Sequence, residues 1–157
     1  MHPRQLKQRE EELFAELLAL YREVDALFVG SSCELSSECC RFGITGREPQ
    51  VTSLELALVE RALAARGGKL SSKRRALPLT RDGERERICP LLDRTGGCIV
   101  YADRPLGCRT FFCHRAELPS RVERRALQDV VRQLQALAVR HAPGGDKPRA
   151  LSAALRG

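Results

Sequence analysis

Apolar residues recur at helical spacing in three separate stretches of the chain. Leu6, Leu13, Leu17, Leu20, Val24 and Leu27, with Phe14 and Phe28 beside them, predict a long amphipathic helix over residues 4–29, ended by Gly30 and Ser31-Ser32. Leu56, Val59 and Leu63 give a second helix over 52–66. It opens on the capping box Thr52-Ser53-Leu54-Glu55 and stops at Gly67-Gly68. Val122, Ala126, Val130, Leu134, Leu137 and Ala138 give a third over 120–141. A second capping box, Ser120 to Glu123, starts it, and Pro143-Gly144-Gly145 breaks it.

The stretches between these helices lack that periodicity. Residues 69–88 are basic and irregular; Ala76 to Leu79 and Arg87-Ile88 suit at most short edge strands, because Pro78 cannot donate to a ladder. Leu91-Leu92 and Ile99 to Tyr101 flank the turn residues Asp93 to Gly97 and predict a small hairpin. The tail after Gly145 reads as a frayed or short helix. The expected fold is mainly α: about three helices packed around a loop-rich core with at most a small hairpin, as one domain over 1–157.

Composition sharpens this picture. Aromatic residues make up 4% of the chain and Trp is absent, so Leu, Ala and Val must supply a thin core that a cross-link would help. No apolar run approaches the roughly 20 residues of a membrane span, and the N-terminus has no signal-peptide core. A cytoplasmic protein without membrane contact is expected. Residues 1–68 carry 8 basic and 11 acidic groups, and residues 69–157 carry 19 and 9. A basic half can serve nucleic acid, but no helix-turn-helix and no interleaved aromatics accompany it. Nucleic acid is therefore not the expected partner. A protein partner and the oligomeric state are left open.

The loops hold the chemistry. Cys33, Cys39 and Cys40 follow the first helix, and Cys89, Cys98, Cys108 and Cys113 lie between the second and third. Inside a cell such thiols stay reduced and serve as metal ligands rather than disulfides. Thiolate sulfur suits zinc and iron–sulfur clusters, not magnesium or calcium. Inert core cysteine would account for some of the seven, but not for a whole set placed in Gly- and Pro-rich loops. Cys39 and Cys40 are adjacent, so both reach one centre only where the backbone bends. Arg104 and Arg109 stand where they could offset thiolate charge, and Arg104-Pro105 where it could fix the loop. His114 is either a further ligand or an exposed side chain. Tyr101 is either a hydrogen-bonding neighbour of the site or packing. His2 and His141 are assigned no part in it.

These residues resemble the YkgJ-type cysteine-cluster family, a zinc- or iron-chelating domain. The family's second half, a Cys-Pro followed by C-x-x-Y-x-x-R-P-x-x-C-R and a further Cys, is matched by Cys89-Pro90, Cys98, Tyr101, Arg104-Pro105, Cys108-Arg109 and Cys113. The first half, CxxCxxCC, is matched by Cys33, Cys39 and Cys40, with Ser36 at the second cysteine position. The resemblance covers about residues 33–113 and implies a centre built by seven thiols rather than eight. It implies zinc or an iron–sulfur cluster, and for some members a link to protein methylation. The Cys-Pro ligand and Gly-flanked thiols favour iron–sulfur over zinc. The expected function is a metal-binding cysteine-cluster protein with a redox or accessory role. Two alternatives belong to other classes. One is a structural-zinc nucleic-acid module using the basic segment 69–87. The other is a metal-dependent group-transfer enzyme, for which no Gly-rich cofactor loop follows a clear strand.

Overall fold

A computed structural model describes residues 2–28, 38–67, 87–110 and 124–156. The expected strand at 76–79, the cap at 120–123, Cys33, Ser36, Cys113, His114 and all of the basic segment except Arg87 lie outside the described residues.

The chain is mainly helical, and its three long helices stand where periodicity puts them. Helix α1 spans Pro3–Leu27, α3 spans Ser53–Ala65 and α5 is described over Arg124–His141. Helix α1 starts on a reciprocal cap in which Arg4 N–H donates to His2 Nδ1 and His2 N–H to the Gln5 side chain, so His2 has a structural task. Leu13, Phe14, Leu17, Leu20, Tyr21 and Val24 are buried, whereas Leu6 and Leu27 at its two ends are exposed. The stripe on α5 narrows likewise to Val130, Leu134, Leu137 and Ala138.

Helix α3 departs from the expected single stripe, because it is buried on two sides. Leu54 and Leu58 join α1 and α5 in one apolar cluster. Leu56, Val59 and Leu63 face a second cluster with Phe42, Val51, Leu91, Val100, Leu151 and Ala154. Helix α3 is thus the middle layer, with the long helices on one side and the cysteine loops on the other. Each fully buried Leu or Val contributes about 1.5–3 kcal/mol. The bridging ion pairs Arg140–Glu16 at 2.6 Å and Arg61–Glu11 at 2.8 Å are half exposed. Such pairs add only about 0–1 kcal/mol. The apolar seams hold the layers, and the ion pairs fix their register.

The short elements surround the second cluster: α2 (Phe42–Thr45), β1 (Gln50–Val51), α4 (Leu106–Thr110), β2 (Arg149–Ala150) and α6 (Leu151–Leu155). Strands β1 and β2 pair antiparallel, Gln50 against Ala150 and Val51 against Arg149. The tail is therefore docked, not frayed. Leu151 N–H donates to Pro49 O at 3.0 Å, Ser152 N–H donates to Glu48 at 2.7 Å, and Leu151 is fully buried. Among the described residues no helix is long and apolar enough to cross a membrane.

Gly107 in α4 lies against the loop before β1. A Cβ built there would come within 2.8 Å of Pro49 Cβ, and the proline ring cannot rotate away. Gly107→Ala should lower stability by about 1–3 kcal/mol, the usual penalty for overpacking. Urea unfolding measures it, and an unchanged midpoint would show that the loop yields freely.

Candidate metal centre

The first cysteine segment is laid along the second by a short antiparallel contact. Arg41 bridges Ile88, Cys89 N–H donates to Cys40 O at 2.7 Å, and Gly43 N–H donates to Arg87 O at 3.0 Å. That register sets Cys40 opposite Cys89. The backbone over Glu38–Cys40 is a 3-10 turn, which removes the alternation of an extended chain. The Cys39 and Cys40 sulfurs consequently lie 4.0 Å apart on one side. A tetrahedral tetrathiolate with metal–sulfur bonds of 2.3 Å has sulfurs about 3.8 Å apart.

The Cys89–Cys98 loop is shaped by Asp93. Its carboxylate accepts from Thr95 N–H at 2.8 Å, Thr95 hydroxyl at 2.7 Å and Gly97 N–H at 2.9 Å, and these bonds hold it below the usual carboxylate range. The expected hairpin is reduced to one bridge, Leu92 against Cys98, followed by Ile99 N–H donating to Leu91 O. After it comes a 3-10 turn at Tyr101–Asp103, not a strand. Arg104-Pro105 then leads into α4, which carries Cys108.

Both sides of Cys108 are tied to the long helices. Glu55 of α3 is 1% exposed. Its Oε1 accepts from Leu106 N–H at 2.8 Å and Tyr21 hydroxyl at 3.2 Å. Its Oε2 accepts from Thr52 N–H at 2.9 Å and Thr52 hydroxyl at 3.0 Å. Burial, then the Glu55 charge, push the Tyr21 hydroxyl well up, so it remains a donor. On the other side, the Arg109 guanidinium pairs with Asp25 at 2.7 Å, donates to Arg104 O at 2.9 Å and to Ala102 O, and lies 4.2 Å over the Tyr21 ring. This corrects one expectation. Arg109 is a buried strut between α1 and the loop, with its charge taken by Asp25. Arg104 keeps the expected part: its guanidinium covers the Tyr101 ring at 3.9 Å and lowers the Cys39, Cys98 and Cys108 thiols.

That pull is outweighed. Loss of water pushes Cys98 up, and pushes Cys108 up further with the charges of Cys98, Cys40 and Cys39 added. The contact with Cys40, burial and the Cys40 charge raise Cys39. Cys39 pulls Cys40 down, but the neighbouring Cys89 thiol and burial override it and leave Cys40 at about 12. Thiols that feel one another this way cannot ionise together without a cation. A thiophilic metal reverses the sign, turning mutual repulsion into shared attraction, at the expense of releasing the protons. Uptake of such a metal would be favoured as pH rises and opposed as it falls.

Cys39, Cys40, Cys89, Cys98 and Cys108 thus gather from both halves of the pattern, and Cys40, Cys98 and Cys108 pack on the apolar cluster that contains Cys89. The expectation that at least four sulfurs share one centre is not met among the described residues. Among the described residues no three Cys, His, Asp or Glu side chains stand at the mutual distances of a coordination sphere. His141 is engaged elsewhere, 2.8 Å from the Ser53 hydroxyl at the start of α3, where the Asp146 carboxylate also accepts Ser53 N–H. The residues missed from sequence are Glu55 in its second role, Tyr21 and Asp25. The capping box signalled Glu55, and nothing local signalled the other two.

No protein-family model, curated protein or solved structure matches the chain.

Proposed function

We propose that this is a metal-binding cysteine-cluster protein of the YkgJ type, holding an iron–sulfur cluster or zinc, with iron–sulfur favoured. One observation carries the reading: five half-buried or buried thiols from segments up to 69 positions apart converge on one side of α3. Cys39, Cys40 and Cys98 are half-buried, whereas burial is the largest cause that pushes the Cys108 thiol up.

The ligands would come from Cys39, Cys40, Cys89, Cys98 and Cys108, with Cys33 and Cys113 as the remaining members of the motif. An iron–sulfur cluster would supply one-electron transfer, and zinc a cross-link alone. The chain's own contribution is to present thiols from a bent turn, a bridged loop and a clamped helix, with Arg104 as nearby countercharge.

Anaerobic purification followed by metal analysis and a visible spectrum tests this. Iron with acid-labile sulfide and broad visible absorption is the expected result. Stoichiometric zinc in a colourless protein would keep the site and change the metal. A chain that purifies without bound metal, and takes up neither on reconstitution, would end the proposal.

A further inference from the structure

The buried carboxylate of Glu55 does more than cap its own helix. Its Oε2 serves the cap at Thr52, and its Oε1 holds Leu106 N–H at the start of α4, two residues before Cys108. The second anchor, Arg109, follows Cys108 directly and is tied to Asp25. Tyr21 joins the two, with its hydroxyl on Glu55 and its ring under Arg109. Helix α4 has five residues and no strength of its own. Its direction is therefore set by what grips it. Of the two grips, the one on backbone N–H is the more exacting, because it fixes the first turn itself.

We infer that Glu55 is a positioning residue for the thiol site: by gripping Leu106 N–H it sets where α4 presents the Cys108 sulfur. This rests on the metal-site reading. It adds that the affinity and electronic signature of the site are governed by a carboxylate of the middle helix that is not itself a ligand. Glu55→Asp shortens the arm by one methylene. Aspartate still suits the first turn of a helix and can serve the cap, but it withdraws from Leu106. Glu55→Gln can keep its oxygen on Leu106 N–H and Tyr21, but its NH2 then faces Thr52 N–H, which loses its acceptor, so this variant keeps the grip on α4 and weakens the cap. Thr52→Ala removes only the cap hydroxyl and leaves the grip on α4.

The probe is Co2+, added anaerobically to the reduced full chain, because cobalt–thiolate bands report ligand number and geometry. Glu55→Asp should bind Co2+ about 10–100-fold more weakly than wild type, the usual cost of losing a support behind a ligand, with a shifted or weakened thiolate band. Its far-UV circular dichroism should be unchanged. Glu55→Gln should recover most of the affinity. Thr52→Ala should lower the melting temperature and leave affinity and band alone. Tyr21→Phe, which frees one restraint on Oε1, should give the Glu55→Asp effect at smaller size, and it replaces that variant if the aspartate does not fold. Wild-type affinity and band in Glu55→Asp would overturn the inference. So would a Thr52→Ala shift as large, since stability alone would then explain both. A wild-type chain with no cobalt–thiolate band and no iron–sulfur spectrum would overturn the metal-site reading itself, which separates the two failures.

Discussion

If the thiols hold a metal as proposed, serine in place of Cys98 or Cys108 should empty the site, and serine in place of Cys33 should leave it filled. Cys108 sits on the clamped helix α4 and Cys98 on the bridged loop, so the backbone fixes both. Cys89 is held by its backbone bond to Cys40 and should be equally indispensable. A fourth ligand has to come from the first cluster. Of the adjacent pair, Cys40 has the fixed backbone and the place in the apolar cluster, so it should matter more than Cys39. A serine hydroxyl does not ionise near neutral pH and is a poor ligand for a thiophilic metal. Each loss should therefore exceed the roughly 10–100-fold that removal of a supporting hydrogen bond costs. Cys33 belongs to the half of the motif already broken by Ser36, and its removal should be tolerated. Metal per chain after single Cys→Ser exchange measures all of this. An empty Cys33→Ser protein beside a full Cys98→Ser or Cys108→Ser protein would reverse the assignment.

What was legible in the sequence was local. The start of α3 follows from Thr52 and Glu55, three residues apart, and the seam between α1 and α5 from Leu and Val at helical intervals. Capping and periodicity act within one or two turns, so a sequence window contains their whole cause. The second face of α3 was missed for a related reason. Leu54 and Leu58 complete a surround of apolar positions, and a helix buried on two sides loses the contrast that marks one face. The β1–β2 pair was invisible because two-residue strands carry no alternation and their partners lie 98–100 positions apart. Glu55 illustrates the limit most clearly. Its task at Thr52 is written three residues away, but its task at Leu106 lies 51 residues away. Arg109 was misread as countercharge because its partner Asp25 is 84 residues away on α1. In the site, sequence gave the thiols but not the 3-10 turn at Glu38–Cys40 that brings two neighbours to one side.

If a metal is bound as proposed, removing it should melt one half of this protein and spare the other. The division follows from the two apolar clusters. The first is made by α1 and α5, long helices with continuous buried stripes, by Leu54 and Leu58 of α3, and by Leu106 at the start of α4. The second gathers Phe42, Val51, Leu91, Val100 and Leu151 from elements of two to five residues and from loops. Helices shorter than about 12–15 residues are marginal in water, so those elements need a cross-link or a neighbour to persist. Structural zinc supplies about 10–16 kcal/mol of apparent binding energy in small zinc-finger peptides, as much as the roughly 5–15 kcal/mol that holds a whole domain together. Chelation should therefore strip hydrogen-exchange protection from residues 38–50 and 87–110 and loosen α6, which docks on the same cluster. Residues of α1 and α5 should keep most of theirs. Glu55 refines the boundary: Thr52 N–H at the cap of α3 should stay protected, and Leu106, whose N–H lies on the same carboxylate and whose side chain packs in the first cluster, should lose less protection than the rest of 87–110. Thermal unfolding that is unchanged after the metal is removed would show that the metal contributes nothing to the fold.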